Sequence, residues 1–270
     1  MTPAARTRRA APLLLDFRNV TVLKGSGRRV LDAVSITVRA GENVAILGPN
    51  GSGKSSFIKT ITREFYPLAD APGFAFRIWG RERWDVFGLR SLLGIVSNDL
   101  LHTFTTEMTG LEVVLSGFFS SVGLYRANVT PAMRRKAASV LDFLEVAHLR
   151  DRLMTEMSSG EARRLLIGRA LVHDPKALVL DEPTNSLDLH ARLRFRELMR
   201  KIARAGTSIL LVTHTLADLI PEIRRVVLMK EGRFVADGPT RQVLTDGNLS
   251  RLFGVPVRIR RRGGRYDLTG

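Results

Sequence analysis

Gly48-Pro49-Asn50-Gly51-Ser52-Gly53-Lys54-Ser55 runs glycine, four residues, glycine, lysine, serine. In this P-loop pattern glycines let the backbone curl until successive N–H groups point at phosphate oxygens. It follows Val44-Ala45-Ile46-Leu47, a short apolar run suited to a strand buried on both faces. A helix is expected to begin near Gly53, adding its positive dipole end to the amides. Lys54 is then placed to reach the β- and γ-phosphates of a bound nucleotide and the Ser55 hydroxyl to ligate Mg²⁺, with Ser56 beside them.

A second stretch, Ala177-Leu178-Val179-Leu180-Asp181-Glu182-Pro183, is an apolar strand that ends in two carboxylates. Open α/β sheets bind ligands at the carboxyl ends of their strands. Asp181 is expected to hold Mg²⁺ through its water shell, and Glu182 to polarise the attacking water. By itself, a strand ending in Asp-Glu is more often solvated capping; the phosphate loop upstream turns it toward catalysis.

Outward from these two motifs the chain alternates. Residues 13–23 and 30–38 read as strands, the second with Val34, Ile36 and Val38 in period two. After Pro131, Ala137, Val140, Leu141 and Leu144 fall at helical spacing. Ala191, Phe195, Leu198, Met199 and Ile202 mark another helix, which stops at Gly206 before the strand at 208–212. Strands alternating with helices argue for a mainly parallel sheet covered on both faces. The helical block between the two strand-rich regions reads as an insertion.

A length of 270 residues suits one globular unit. With no cysteine there are no disulfides, thiolate metal sites or cysteine nucleophiles, and a reducing compartment fits. The apolar run Leu13 to Leu15 is too short for a signal peptide, and the stretch from Val113 to Gly123 is far short of the roughly 20 residues a membrane span needs. The net charge of +16 is carried mostly by arginine and is largely scattered, with clusters only at the ends, at Arg6, Arg8 and Arg9 and at Arg258, Arg260, Arg261, Arg262 and Arg265. These are expected as solvated flexible tails, contact with anionic lipid or nucleic acid being the alternative.

Between the two motifs lies Met157-Ser158-Ser159-Gly160-Glu161, followed by a helical run to Leu171. Here the chain resembles the ATP-binding-cassette (ABC) ATPases, whose signature segment is usually Leu-Ser-Gly-Gly-Gln; Ser159 and Glu161 depart from it. Serine followed three residues later by glutamate is also a capping box that would start any helix. Asn185-Ser186-Leu187-Asp188 resembles the family's D-loop. Ile209 to His214 resembles the strand ending in its switch histidine, which senses the γ-phosphate. Of the five histidines, His102, His148, His173 and His190 read as surface residues. Asn98 stands where the family's Q-loop has glutamine, one methylene shorter in its reach toward Mg²⁺. No tyrosine occurs in 20–29, where the family often stacks adenine on an aromatic ring.

The resemblance implies an α/β P-loop NTPase core with a mainly parallel sheet, an antiparallel β subdomain and an inserted helical subdomain. It places the nucleotide-binding core at 12–97 and 166–255, the helical subdomain at 98–165 and a basic tail at 256–270. The implied activity is Mg²⁺-dependent ATP hydrolysis coupled to transport. Two copies would close head-to-tail around two ATP molecules, each completing the other's site with Ser158 and Gly160 while Asp188 crosses the interface. The implied partners are a second such subunit, a membrane permease that docks on the helical insert, and a substrate-binding protein; Phe104, Phe118, Phe119 and Tyr125 lie in that insert and read equally as permease contacts or as its core. The implied place is the inner face of the cell membrane. Residues 94–97 and 113–119 look like the molybdenum-transport or photorepair branch; the C-terminal segment looks like iron-chelate importers. The alternative is a soluble ABC ATPase acting on nucleic acid, translation or regulation. The lack of a long heptad insertion speaks against it, and nucleic acid is not the expected partner.

Overall fold

A computed structural model describes residues 11–25, 27–69, 71–97, 100, 103–104, 107–124 and 128–269. Asn98, His102, Tyr125, Arg6, Arg8 and Arg9 lie outside the described residues.

The apolar run after the turn at residues 40–43 forms β3 (Val44–Leu47), buried at all four positions. Both neighbours run parallel to it. On one side is β7 (Ser208–Thr213), then β6 (Ala177–Asp181) and β5 (Leu93–Val96); on the other is β8 (Arg225–Lys230), with β9 (Arg233–Pro239) antiparallel at the edge. The sheet is therefore mainly parallel, as expected. A second sheet of β2 (Arg28–Arg39), β1 (Leu13–Lys24) and β4 (Ala75–Ile78) is antiparallel. Between the sheets Phe17, Phe57 and Phe76 stack in the core with β3 and β7 side chains.

The helices α1 (Lys54–Ile61) and α2 (Val86–Leu92) belong to this half. Between β5 and β6 in the chain, α3 (Gly110–Ser116), α4 (Pro131–Phe143) and α5 (Ser159–Leu171) pack together. Pro131 sits in the first turn of α4 behind the Thr130 cap, and Ala137, Val140, Leu141 and Leu144 are buried, as their spacing predicts. Asp188 caps α6 (Leu189–Arg204), which ends just before Gly206 at φ 98°. No helix among the described residues is long and apolar enough to cross a membrane.

Two expectations change. The C-terminal stretch is not a flexible tail but a hairpin, β10 (Arg258–Arg262) and β11 (Arg265–Thr269), after α7 (Asp246–Phe253). Ile259, Tyr266 and Leu268 face the core, while Arg258, Arg260 and Arg262 alternate outward. Gly263 and Gly264, both at positive φ, make the two-residue turn that such a hairpin favours. Phe104 is also no docking residue: it is 4% exposed, under the Arg169 guanidinium, whereas Phe118 and Phe119 are half-buried.

Candidate active site

The loop between β3 and α1 brings the predicted residues together. Gly53 opens α1 at φ 105°, a conformation that costs a side chain dearly, and a Cβ there would stand 2.9 Å from the Val30 carbonyl. With glycine as its cap, α1 begins with no side-chain partner for its first amides and no acidic residue in its first turn. Those N–H groups, at the positive end of the helix, are what an anion would meet. Behind them the buried Ser52 hydroxyl has no hydrogen-bond partner among the described residues.

Lys54 is 4% exposed and donates to the Gly48 and Pro49 carbonyls at 2.8 and 2.9 Å. Its ammonium lies 3.4 Å from Glu182 Oε1. Burial pushes the lysine below its ordinary value, with Glu182 and Asp181 pulling it back up.

Glu182 follows the last residue of β6 at φ 46°, a left-handed conformation uncommon outside glycine. The strand ladder continues through it, its N–H donating to the Val212 carbonyl at 2.8 Å, so the carboxylate is presented at the strand end. Oε1 lies 3.2 Å from His214 Nδ1, and Oε2 accepts from the Asn185 amide at 2.6 Å. Burial alone would raise this carboxyl; the His214 and Asn185 contacts and the Lys54 charge outweigh it and leave it below its usual value. An ionised carboxylate beside an oriented imidazole suits the activation of a water molecule.

These groups open onto a cleft of about 1120 Å³, whose walls include Asn50, Gly51, Gly53, Lys54, Ser55, Ser56, Asp181 and Glu182. Among the described residues no three acidic or histidine side chains cluster as an all-protein metal cage. The donor set of Ser55 and Asp181 is instead of the kind that suits Mg²⁺, which keeps waters and takes one or two protein oxygens alongside substrate phosphates.

Ser158, Gly160 and Asp188 stand outside this cleft. Ser158 caps α5 and Asp188 caps α6, its Oδ1 accepting from Ala191 N–H at 2.7 Å. At Ser158 the capping box is complete: Glu161 Oε2 accepts from the Ser158 N–H at 2.9 Å and from its hydroxyl at 2.8 Å. These bonds hold the Glu161 carboxyl below its ordinary value. His148, His173 and His190 are exposed, as read from the sequence.

Three features escaped the sequence reading. Asn185 orients Glu182, and its spacing of three residues is the only signal of it. Arg163, 4% exposed on α5, donates to the Pro183 and Asn185 carbonyls and so ties the helix after Ser158 to the loop after Glu182. Buried Asp218 accepts from Thr184 and Thr213, at 2.5 and 2.7 Å, bracing the ends of β6 and β7.

The chain is similar to known proteins along most of its length. Over 94% of this chain and 84% of its own length, a hemin import ATP-binding protein of Nocardia farcinica is 34% identical. A Nod factor export ATP-binding protein of Neorhizobium galegae is 33% identical over 99% of this chain and 72% of its own. A solved dimeric ABC cassette in a post-hydrolysis state, bound to ADP and Pi, superposes with a TM-score of 0.67 at 25% identity, covering 83% of this chain and 98% of that one. Residues 31–185 match the family described as ABC transporter. A phosphate loop, a paired-carboxylate strand end and a capped signature turn in one such chain place it in the ABC transporter family, as an ATP-binding and ATP-hydrolysing subunit.

Proposed function

We propose that this subunit is Mg²⁺-dependent, works as a head-to-tail pair of identical chains at the inner face of a membrane, and drives import of a metal chelate or oxyanion through a separate permease. The observation that carries the reading is the meeting of Lys54, Glu182 and His214 where β3, β6 and β7 end. Backbone amides of residues 48–55 and Lys54 hold the phosphates. Ser55 and Asp181 hold Mg²⁺, which when bound offsets the charge on the phosphate oxygens; Asn98 is assigned to the same site. Glu182 takes up the proton of the attacking water, and His214 keeps the carboxylate aimed. Ser158 and Gly160 of a second copy face the γ-phosphate, with Asp188 at the seam.

Pairing is supported by the dimeric state of the similar solved cassette. Import is supported by the hemin import relative, which this chain spans more fully than it spans the Nod factor export relative. Docking of a permease is supported by a groove beside the cleft, lined by Leu89, Arg90, Leu93, Val122 and Arg169. Arg169 is half-buried there, donating to the Ser116 hydroxyl and the Ser121 carbonyl at 3.2 and 3.1 Å, and is held down to about 10, first by desolvation and then by the charge of Arg90, a cost that an acidic partner would offset. Co-purification with the permease is expected to fail for Arg90→Glu; unchanged recovery removes this groove as the contact.

The test of the whole reading is Glu182→Gln. The variant should bind ATP, hydrolyse it at a small fraction of the normal rate and accumulate as an ATP-dependent dimer by sedimentation. Wild-type turnover in this variant contradicts the role of Glu182.

A further inference from the structure

The C-terminal hairpin leaves a crevice against α6. Its turn passes over Pro221, where a Cβ on Gly264 would stand 3.5 Å from the proline ring. Strand β11 packs on the short turn Leu216–Asp218, which follows His214. Between the hairpin turn and α6 lies a cavity of about 390 Å³, a size that suits a small ligand. It shares no described lining residue with the nucleotide cleft.

Helical spacing makes this lining cationic. His190 and Arg194 stand four residues apart on α6, Arg196 and Arg200 follow on the adjoining row, and Arg265 comes from β11. The cations are not equivalent. Arg200 is already matched, meeting Glu197 at 3.1 Å and Glu222 at 3.3 Å. That occupies Glu197, the one carboxylate among the described lining residues. Arg196 is 7% exposed and donates to the Ala217 carbonyl, in the middle of the turn that β11 covers. Burial, then the Arg265 charge, pushes its guanidinium below the ordinary arginine value, against the pull of Asp218 and Glu197. Arg194 and Arg265 are exposed and form no ion pair among the described residues; the fields of Glu145 and Arg164, of opposite sign, both reach Arg194. A buried guanidinium crowded by like charge, with no carboxylate in contact, costs the fold stability that an anion would restore.

We propose that this crevice is a second anion site, separate from the nucleotide cleft, which takes a small inorganic phosphate-class oxyanion and clamps the hairpin to α6. The planar fork of a guanidinium matches phosphate oxygens two at a time, which an ammonium cannot do. Arg265 grips from the hairpin and Arg194 from α6, while Arg196 lies beneath them with its bond to Ala217. The bound anion thereby stiffens the turn whose Asp218 accepts from Thr184 and Thr213 at the ends of β6 and β7.

The experiment is titration calorimetry of inorganic pyrophosphate, without Mg²⁺ and at about 0.15 M salt, where exposed charges are well screened. It uses the full chain carrying Lys54→Ala, which weakens the phosphate loop, and the same chain with Arg265→Ser or Arg194→Ser added. A crevice site gives binding that survives Lys54→Ala and weakens at least about tenfold with either serine. Arg265→Lys, which keeps the charge and loses the fork, should fall between. Hydrogen exchange over residues 216–220 should slow with pyrophosphate in Lys54→Ala and not once Arg265→Ser is added. Both serines replace exposed side chains, so urea midpoints should not fall, and Arg265→Lys decides the matter if they do. If Lys54→Ala abolishes all pyrophosphate binding, or if neither serine weakens what remains, the crevice is no anion site and the proposal is overturned. Binding that leaves exchange over 216–220 unchanged overturns the clamp.

Discussion

The helices α1 and α5 begin in opposite ways. Gly53 leaves the first amides of α1 without a side-chain cap and without an acidic residue in the first turn, while Ser158 and Glu161 close the start of α5 with a full set of mutual hydrogen bonds. A bare helix start is prepared for an anion within its own chain. A closed one is prepared for stability, and it serves a phosphate only if the serine hydroxyl turns outward from Glu161. The contrast suits a site divided between two chains: one half binds at once, and the other engages when the copies meet. It also gives the Glu161 departure from the usual glutamine a physical meaning, as a negative charge standing where a phosphate of the neighbouring copy would arrive.

The largest effect that could break this contrast is expected on the α1 side. Glu182→Gln should lower turnover by about 10²- to 10⁴-fold, as loss of a general base does, with ATP affinity preserved in equilibrium binding. Next, Lys54→Ala should weaken ATP at least about tenfold, because hydrogen bonds to charged groups are the stronger kind; unchanged affinity by titration calorimetry would remove Lys54 from the site. On the α5 side, Ser158→Ala should cost about 1 kcal/mol in urea unfolding through loss of the cap. It should leave ATP binding to the single chain intact and reduce ATP-driven pairing. A variant that also loses single-chain affinity would place Ser158 in the same cleft as Lys54.

Two smaller effects sharpen the picture. Glu161→Gln retains the capping geometry, because glutamine also serves at this position, and it removes the charge. ATP-dependent pairing should tighten a few-fold by sedimentation. The smallest effect is in pH. The Glu161 carboxyl is held low by the Ser158 N–H and hydroxyl, so its contribution to stability is present above the unfolded carboxyl value of about 4.3 and is lost as pH falls through the lower folded value. Wild type should therefore lose stability relative to Glu161→Gln on acidification, and a constant difference in urea midpoints would argue against the box.

The legible parts of the fold were those in which one signal dominated. Four consecutive apolar residues between a turn and the glycine-rich loop suited the buried strand β3, and Pro131 ahead of residues at helical spacing suited the first turn of α4. The C-terminal hairpin was hidden because arginine occupies Arg260 to Arg262 regardless of which face each residue takes; the Gly263-Gly264 turn was its readable trace. At the site, Lys54, Asp181, Glu182 and His214 were readable because their spacing along single strands and loops fixes their place. Arg163 and Asp218 were not, since charged residues are seldom buried and only the fold brings their partners to them.

The divided site is tested most directly by mixing two disabled chains, Lys54→Ala and Ser158→Arg. If each ATP is held by the loop of one copy and the turn of the other, the mixed dimer contains one intact site, and activity should return to about a quarter of the wild-type level on random pairing. If the mixture stays as inactive as its components, or if Ser158→Arg is active by itself, the site is not divided between two copies in this way and the contrast between the two helix starts has no functional meaning.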